Sequence, residues 1–568
     1  MLPSIIAAGR AFGILYARQG IRGRWRPALL VAFVALLAFW PGFASLPPTD
    51  RDEGRYVMAT LQMVASGDYI DIRNQDEPRH KQPAGIYWLQ AAAVQASGQG
   101  TAAPIGVYRS PSLLGAIAAV VLTLWAFAPL VGRRAAFLGA TLLAAVLLLG
   151  VEARIAKTDA ALLACVVLGL GVLVRALLHP GRMRQGWTGL WFWVAVGLGT
   201  MIKGPIILLV LGLAAAALCL PARGVRWLAA LRPGWGLLLA LAIALPWYVA
   251  IGIRTEGAFF ANALGWNALG KIGGVHQGHG GPPGFYSALV WVTFWPAATL
   301  LAALLPWIWR QRRRREVVVL LCLILPLWLA YELIATKLPH YVLPAYPPLA
   351  VLVALALLHA GALVRGWWGR IMVQGFWLVP AVFLLGGTGA FIWFEGWPPL
   401  LSVLALLVAL GLGVLATLVA HRSAVATLPV AVAAALLTWA GAWPMLARMD
   451  SLWLSPRMAA AVAGTAHCPD PMLASAGYHE PSFVFLTRTD ALLTGGAGAA
   501  DFLAEGGCRL AFVDAAPGRR GRPAEEAAFR ARLDALGLAA APLAVVEGRN
   551  MNGGHWRRMV LWRLEPAG

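Results

Sequence analysis

The chain has 568 residues and a net charge of +21, yet only 12% of its residues are charged and 60% are hydrophobic. A soluble protein carries roughly 25% charged residues, so an ordinary soluble globular chain is excluded. The positive charge would suit a nucleic-acid binder, but its arginines fall in alternate short loops between apolar runs, which is the positive-inside pattern of a membrane protein.

In chain order, residues 1–27 form a basic leader with Arg10, Arg18, Arg22, Arg24 and Arg26, placed in the cytoplasm. About thirteen apolar segments can then be laid over 28–446, each approaching the ~20 residues that a spanning helix needs. They include 28–46, 113–131, 136–151, 235–251, 317–334, 371–394, 400–420 and 425–446. An odd number of spans puts the C-terminal part outside.

The first outer loop, 47–109, is too long for a mere connection. An amphipathic helix is expected over 53–66, stopped by Gly67. The stretch 86–96 is apolar but too short to span, and is expected along the surface. A second outer loop, 254–286, carries the Gly- and Pro-rich run from His276 to Gly284.

Residues 447–568 hold 13 Lys or Arg against 12 Asp or Glu, so the excess charge belongs to the membrane part. Strands are expected at 482–486, 510–513, 543–546 and 559–564, with a helix over 524–536. These pieces predict a small extracytoplasmic α/β domain. Cys165, Cys219 and Cys322 lie in apolar spans; Cys468 and Cys508 lie in the outer part, either bridged or free. No cysteine spacing suggests a metal.

The polar groups of the outer loops are the candidates for chemistry. Asp52 and Glu53, adjacent carboxylates at a membrane boundary, suit general-base work; alternatively they decorate a helix N-terminus. Lys81 could meet a lipid phosphate or anchor the interface beside Tyr87 and Trp88. Glu152, Arg154, Lys157 and Asp159 lie between two spans, where Asp159 could instead cap a helix. Lys203 sits between two closely spaced apolar runs, where an ionisable group faces protein or water rather than lipid. Lys337, His340 and Tyr341 could supply donors to a phosphate or sugar. Arg55, Tyr56, Tyr87 and His279 complete the loop residues expected near a substrate. A divalent metal is one option for His276 and His279, plain loop histidines the other.

The motifs Asp52-Glu53-Gly54-Arg55-Tyr56 with Ser66-Gly67-Asp68, Lys81 to Trp88, and Lys337 to Pro344 resemble those of the GT-C glycosyltransferases. Within them, the chain is most similar to the bacterial lipid A aminoarabinose transferases and their relatives, which are related to protein O-mannosyltransferases. The resemblance covers the loop order over about 1–350 and the plan of about thirteen spans with an outer C-terminal domain. It implies an inverting transferase that takes a sugar from a polyprenyl-phosphate (undecaprenyl-phosphate) carrier at the periplasmic face of a bacterial inner membrane. The acceptor would be lipid A, another glycan or a protein. On this carry-over Asp52 is the catalytic carboxylate, Asp159 a second essential acid, and Lys81 and Tyr341 contacts of the donor phosphate. One departure is visible: His80 precedes Lys81 and Gln82 separates it from Pro83, whereas in the aminoarabinose enzyme an acid precedes the lysine and proline follows directly.

Two other classes compete. A lipid or solute transporter would place its ionisable groups near the bilayer midplane and show internal repeats. A silent scaffold would tolerate loss of the first-loop charges. Neither a nucleic-acid partner nor a nucleotide-binding fingerprint is expected.

Overall fold

The computed structural model describes residues 2–50, 52–263, 280–465, 470–517 and 524–565. Twelve helices run through the first half of the chain: α1 (Leu2–Gln19), α2 (Arg26–Phe39), α3 (Asp52–Ser66), α4 (Gly85–Ser97), α5 (Ile105–Val131), α6 (Arg133–Ala145), α7 (Leu147–Glu152), α8 (Asp159–Leu178), α9 (Pro180–Gln185), α10 (Leu190–Lys203), α11 (Ile206–Ala222) and α12 (Pro233–Arg254). The basic leader is therefore a helix rather than a tail. It packs on the helix Ala424–Ala447, and Gly13 lies so close that an added Cβ would fall 2.6 Å from Ala426 Cα.

The protein is a multi-pass membrane protein. Among the described residues, eight helices are long and apolar enough to cross a membrane: α5, α8, α12, Arg315–Leu333, Pro339–Arg365, Trp367–Glu395, Leu400–Ala420 and Ala424–Ala447. Four shorter apolar helices accompany them: α2, α10, α11 and Ala297–Arg310. Fewer full-length spans appear than the hydropathy pattern predicts because several apolar stretches break. Val146 is extended, with ψ 132, and separates α6 from α7. Gly204, with φ 67, and Pro205 separate α10 from α11. Such breaks survive in a bilayer only where they are packed in protein or line a cavity.

The first outer loop folds as expected in outline. α3 covers the predicted amphipathic stretch, and Gly67, with φ 72, ends it in the left-handed region that glycine tolerates. A two-residue hairpin follows, with β1 (Arg73–Asn74) paired to β2 (Glu77–Pro78), and then α4.

The C-terminal domain is a five-stranded sheet in the order β4-β3-β5-β7-β6, formed by β3 (Met472–Ala476), β4 (Leu492–Thr494), β5 (Arg509–Asp514), β6 (Ala540–Arg549) and β7 (Trp556–Leu564). β3 pairs in parallel with β4 and β5, while β7 runs antiparallel to both β5 and β6. Alternate residues face opposite sides, as strand geometry requires. Leu473, Leu510, Phe512 and Leu561 line one core; Ala474, Ala511, Val513 and Trp562 line the other. The stretch 482–486, expected as a strand, lies in the helix Pro481–Leu486, because Pro481 presets a helical φ at the first position, where no N–H donor is needed. Cys508 is disulfide-bonded; its expected partner Cys468 lies outside the described residues.

The sheet domain is docked onto the catalytic-loop candidate rather than tethered beside it. Met58 of α3 belongs to the C-terminal domain's own core, with Leu454, Tyr478 and Phe483. Gln75 of the hairpin donates to the Thr489 and Ala491 carbonyls at 3.0 and 2.7 Å.

Candidate functional site

The paired carboxylates at the start of α3 separate into two environments. Consecutive helical residues point about 100° apart, and here one side chain reaches water while the other enters the protein. Asp52 is exposed. Glu53 is 0% exposed and fully engaged. Its Oε1 accepts from Arg109 Nε at 2.7 Å and from the Ala156 N–H at 2.8 Å. Its Oε2 accepts from Arg109 Nη2 at 2.9 Å, from the Thr49 N–H at 2.8 Å and from the Thr49 hydroxyl at 3.0 Å. Burial alone would raise the Glu53 pKa, but the Arg109 charge and these bonds outweigh it and hold the carboxyl below its ordinary value. Glu53, expected as a catalytic acid, has both oxygens engaged within the protein: it ties α3 to α5 and to the loop ahead of α8.

Asp159 opens α8 and gathers cations. Lys203 Nζ, at the C-terminus of α10, donates to Asp159 Oδ1 at 2.5 Å. Lys157 Nζ lies 3.0 Å from Glu152 Oε1 and 3.7 Å from Asp159 Oδ2. His340 brings its Nε2 to 3.8 Å from Asp159 Oδ1 and its Nδ1 to 3.4 Å from Lys157 Nζ. Glu152 is buried, and its Oε2 has no hydrogen-bond partner among the described residues. Four separate segments, α7, the 153–158 loop with α8, α10 and the 339–345 turn, thereby meet at one polar cluster.

Beside the cluster lies a cavity of about 320 Å³. Lys81, Gln82, Asp159, Lys203, His340 and Tyr341 supply its polar wall, while Leu162, Leu209, Phe259, Phe260 and Leu343 are among its apolar walls. Asp52 is near enough for its charge to act on Lys157, Tyr341, Tyr56 and Arg79. The expected residues Lys81, Asp159, Lys203, His340 and Tyr341 therefore come together on one cavity wall, and Asp52 stands outside that wall within reach of their charges.

Others do not. Lys337 is 4% exposed and donates to the Tyr331 and Glu332 carbonyls at 2.8 and 2.6 Å. It caps the end of Arg315–Leu333, where free carbonyls favour a cation, and is absent from the described cavity wall. Tyr87 is buried and accepts from Arg79 Nε at 2.8 Å. Tyr56 donates to Gln82 Oε1 and carries the Arg79 guanidinium 4.8 Å from its ring centre. The two tyrosines thus hold the Arg79–Gln82 segment from behind rather than facing a substrate. Arg55 is half-buried on α3, outside the described cavity wall. His276 and His279 lie outside the described residues. Among the described residues, no group of three His, Cys, Asp or Glu side chains could hold a metal.

The sequence reading missed Arg79, Gln82 and Arg109 as structural parts of the site, and gave Lys157 and Glu152 no specific role beyond candidates between two spans. Arg109 carried a signal, since an arginine at the apolar head of a span needs a protein partner. Gln82, which with His80 departs from the family motif, accepts a hydrogen bond from the Tyr56 hydroxyl and lines the cavity.

Residues 81–249 match the family model described as dolichyl-phosphate-mannose-protein mannosyltransferase. The chain is 30% identical over 312 residues to the undecaprenyl phosphate-alpha-4-amino-4-deoxy-L-arabinose arabinosyl transferase of Pseudomonas aeruginosa, covering 54% of this chain and 55% of that one. A transferase of the same description from Pseudomonas fluorescens is 28% identical over 60% of this chain and 61% of its own. The chain thus spans little more than half the length of these curated relatives. The crystal structure of ArnT from Cupriavidus metallidurans bound to undecaprenyl phosphate superposes with a TM-score of 0.74 at 20% identity, covering 95% of this chain and 98% of that one. At that identity the likeness establishes the fold.

Proposed function

We propose that this chain is a member of the GT-C superfamily of the aminoarabinose transferase and protein O-mannosyltransferase type, and that it is an inverting glycosyltransferase with a polyprenyl-phosphate sugar as donor. The observation that carries this reading is the cavity in which Lys81, Lys203 and His340 face apolar walls: an anionic head and a lipid tail fit the same space. The relatives named above act on an undecaprenyl-phosphate-linked sugar, and the neighbouring crystal structure holds undecaprenyl phosphate.

Lys81, Lys203, His340 and Tyr341 receive the donor phosphate. Asp159 holds Lys203 and thereby fixes where that charge stands. The acceptor hydroxyl attacks the anomeric carbon from the face opposite the phosphate, and Asp52 takes its proton. The bond from the anomeric carbon to the phosphate oxygen breaks, and the electron pair leaves with the phosphate. Lysine and histidine donors stabilise that growing charge against the apolar walls of the cavity. One displacement inverts the anomeric centre. The acceptor is a hydroxyl of lipid A, another glycan or a protein.

Arginine-rich loops of one parity support a cytoplasmic N-terminus, a periplasmic site and outer domain, and residence in a bacterial inner membrane. The test is transfer by the reconstituted protein from a panel of undecaprenyl-phosphate sugars, with lipid A, glycans and proteins supplied from membrane extract. Release of undecaprenyl phosphate that disappears in Asp52→Asn is the expected result. Absence of release with every donor, or full release by Asp52→Asn, would overturn the assignment.

A further inference from the structure

The end of the bundle opposite the donor cavity carries charge that its own sequence does not balance. Residues 160–255 contain no Asp or Glu, while Arg175, Arg182, Arg184, Arg223, Arg226 and Arg232 fall in the same stretch. There a second cavity, of about 470 Å³, is lined by Trp125, Pro129, Arg175, His179, Arg182 and Thr188, from α5, the end of α8, α9 and the segment that follows it.

Its inner wall follows from Pro129. Proline has no N–H, so the Trp125 carbonyl four residues earlier loses its helical donor. Arg175 replaces it: Nη2 donates to the Trp125 carbonyl at 2.5 Å, and Nη1 to those of Gly171 at 3.0 Å and Ala126 at 3.3 Å. The guanidinium carbon lies 3.6 Å from the Trp125 ring centre. These carbonyl bonds fix a full positive charge at the cavity wall without neutralising it. His179 and Arg182 are exposed at the rim and able to close on a ligand.

We propose that this cavity is a phosphate site, occupied by the headgroup of an anionic phospholipid from the arginine-rich leaflet. Basic pockets between spanning helices suit such headgroups. A lipid is favoured over a free ion because the spanning helices α5 and α8 wall the cavity and because Trp187 and Trp191, beside the lining Thr188, are 72% and 54% exposed. Exposed tryptophans of this kind mark the level of lipid headgroups. The proposal is independent of the transferase reading.

Native mass spectrometry of the full-length protein in detergent tests it, with dioleoyl phosphatidylglycerol, dioleoyl phosphatidylcholine and inorganic phosphate as probes. The wild type should retain phosphatidylglycerol over phosphatidylcholine by about tenfold. The double variant His179→Gln/Arg182→Gln should lose that preference. Both side chains are exposed and the Arg175 bonds remain, so an unchanged melting temperature will show that the variant is folded. Equal retention of the two lipids by the wild type, or an intact preference in the variant, would overturn the site. Displacement of the lipid by phosphate, but not by chloride at equal ionic strength, would assign the cavity to free phosphate and overturn the lipid assignment.

Discussion

Ser482, in the first turn of the C-terminal-domain helix Pro481–Leu486, donates a hydrogen bond to Asp50, two residues ahead of Asp52. Tyr478 donates to the other Asp50 oxygen at 3.4 Å, and Ser455 joins the two hydroxyls at 2.8 and 2.7 Å. The C-terminal domain therefore grips the chain where it enters α3, and what loosens that grip also moves the proposed base.

This contact should respond to pH. Burial pushes the Asp50 carboxyl up to about 6 against an ordinary 3.8; Glu480 adds to the rise, and the Ser482 and Tyr478 hydroxyls oppose it. The docked state thus holds the proton more tightly than the undocked one. Docking is strongest below about pH 4 and weakens as pH rises towards 6, above which Asp50 is charged in both states. Hydrogen exchange of 481–486 should accordingly be slower at pH 5 than at pH 8, after correction for intrinsic rates. In Asp50→Asn, whose amide is neutral throughout, the difference should vanish. Equal protection at both pH values in the wild type would rule the linkage out.

Neighbouring acids should give opposite phenotypes. Glu53→Ala strands Arg109 as a buried, unpaired cation, and breaking such a pair costs about 3–5 kcal/mol. Its melting temperature and its yield of folded protein should fall sharply. Asp52→Asn touches an exposed group and should change stability by no more than about 0.5 kcal/mol, while transfer is lost. Two variants that melt alike would contradict the division of roles read from the structure.

That division marks how far the sequence could be read. Hydropathy and arginine placement disclose a polytopic membrane chain because lipid imposes length and composition on every span. The side of the membrane was enough to gather Asp52, Lys81, Asp159, Lys203, His340 and Tyr341 as candidates. What stayed hidden was side-chain direction. Glu53 differs from Asp52 by one residue, and only packing against Arg109 and Ala156 sends it inward. Lys337 lies three residues from His340 yet turns to cap its own helix end. The 482–486 run is apolar like a strand, and periodicity cannot separate so short a run from a buried helix turn.

The two lysines should therefore separate in kinetics. Lys203→Met removes a cation from the cavity and should lower transfer by about 10²–10³-fold, the scale of losing one donor at a developing anion. Lys337→Met should leave donor turnover within a few-fold and cost about 3 kcal/mol of stability through two lost carbonyl bonds. Donor titrations of kcat and kcat/KM, read beside thermal melts, distinguish them. A catalytic collapse in Lys337→Met at unchanged stability would return that residue to the phosphate site.

Gly54 offers a way to disturb the docking without touching any ionisable group. A Cβ built there would lie 2.9 Å from the Ser482 backbone nitrogen and 3.2 Å from the Pro481 carbonyl carbon, both backbone atoms with little room to yield. Gly54→Ala should force the helix Pro481–Leu486 away from α3, at an overpacking cost of about 1–3 kcal/mol. Asp50 would then lose its Ser482 bond, and Asp52 its fixed starting turn. The expected outcome is faster hydrogen exchange in 481–486 together with a fall in kcat that exceeds any rise in donor KM, because the lysines and His340 proposed to bind the phosphate stand on other segments. Replacing Ser482 by Ala in the same variant should add little, since the bond it makes is already broken. A Gly54→Ala protein with normal exchange in 481–486 and normal kcat would show that the C-terminal domain does not position the base.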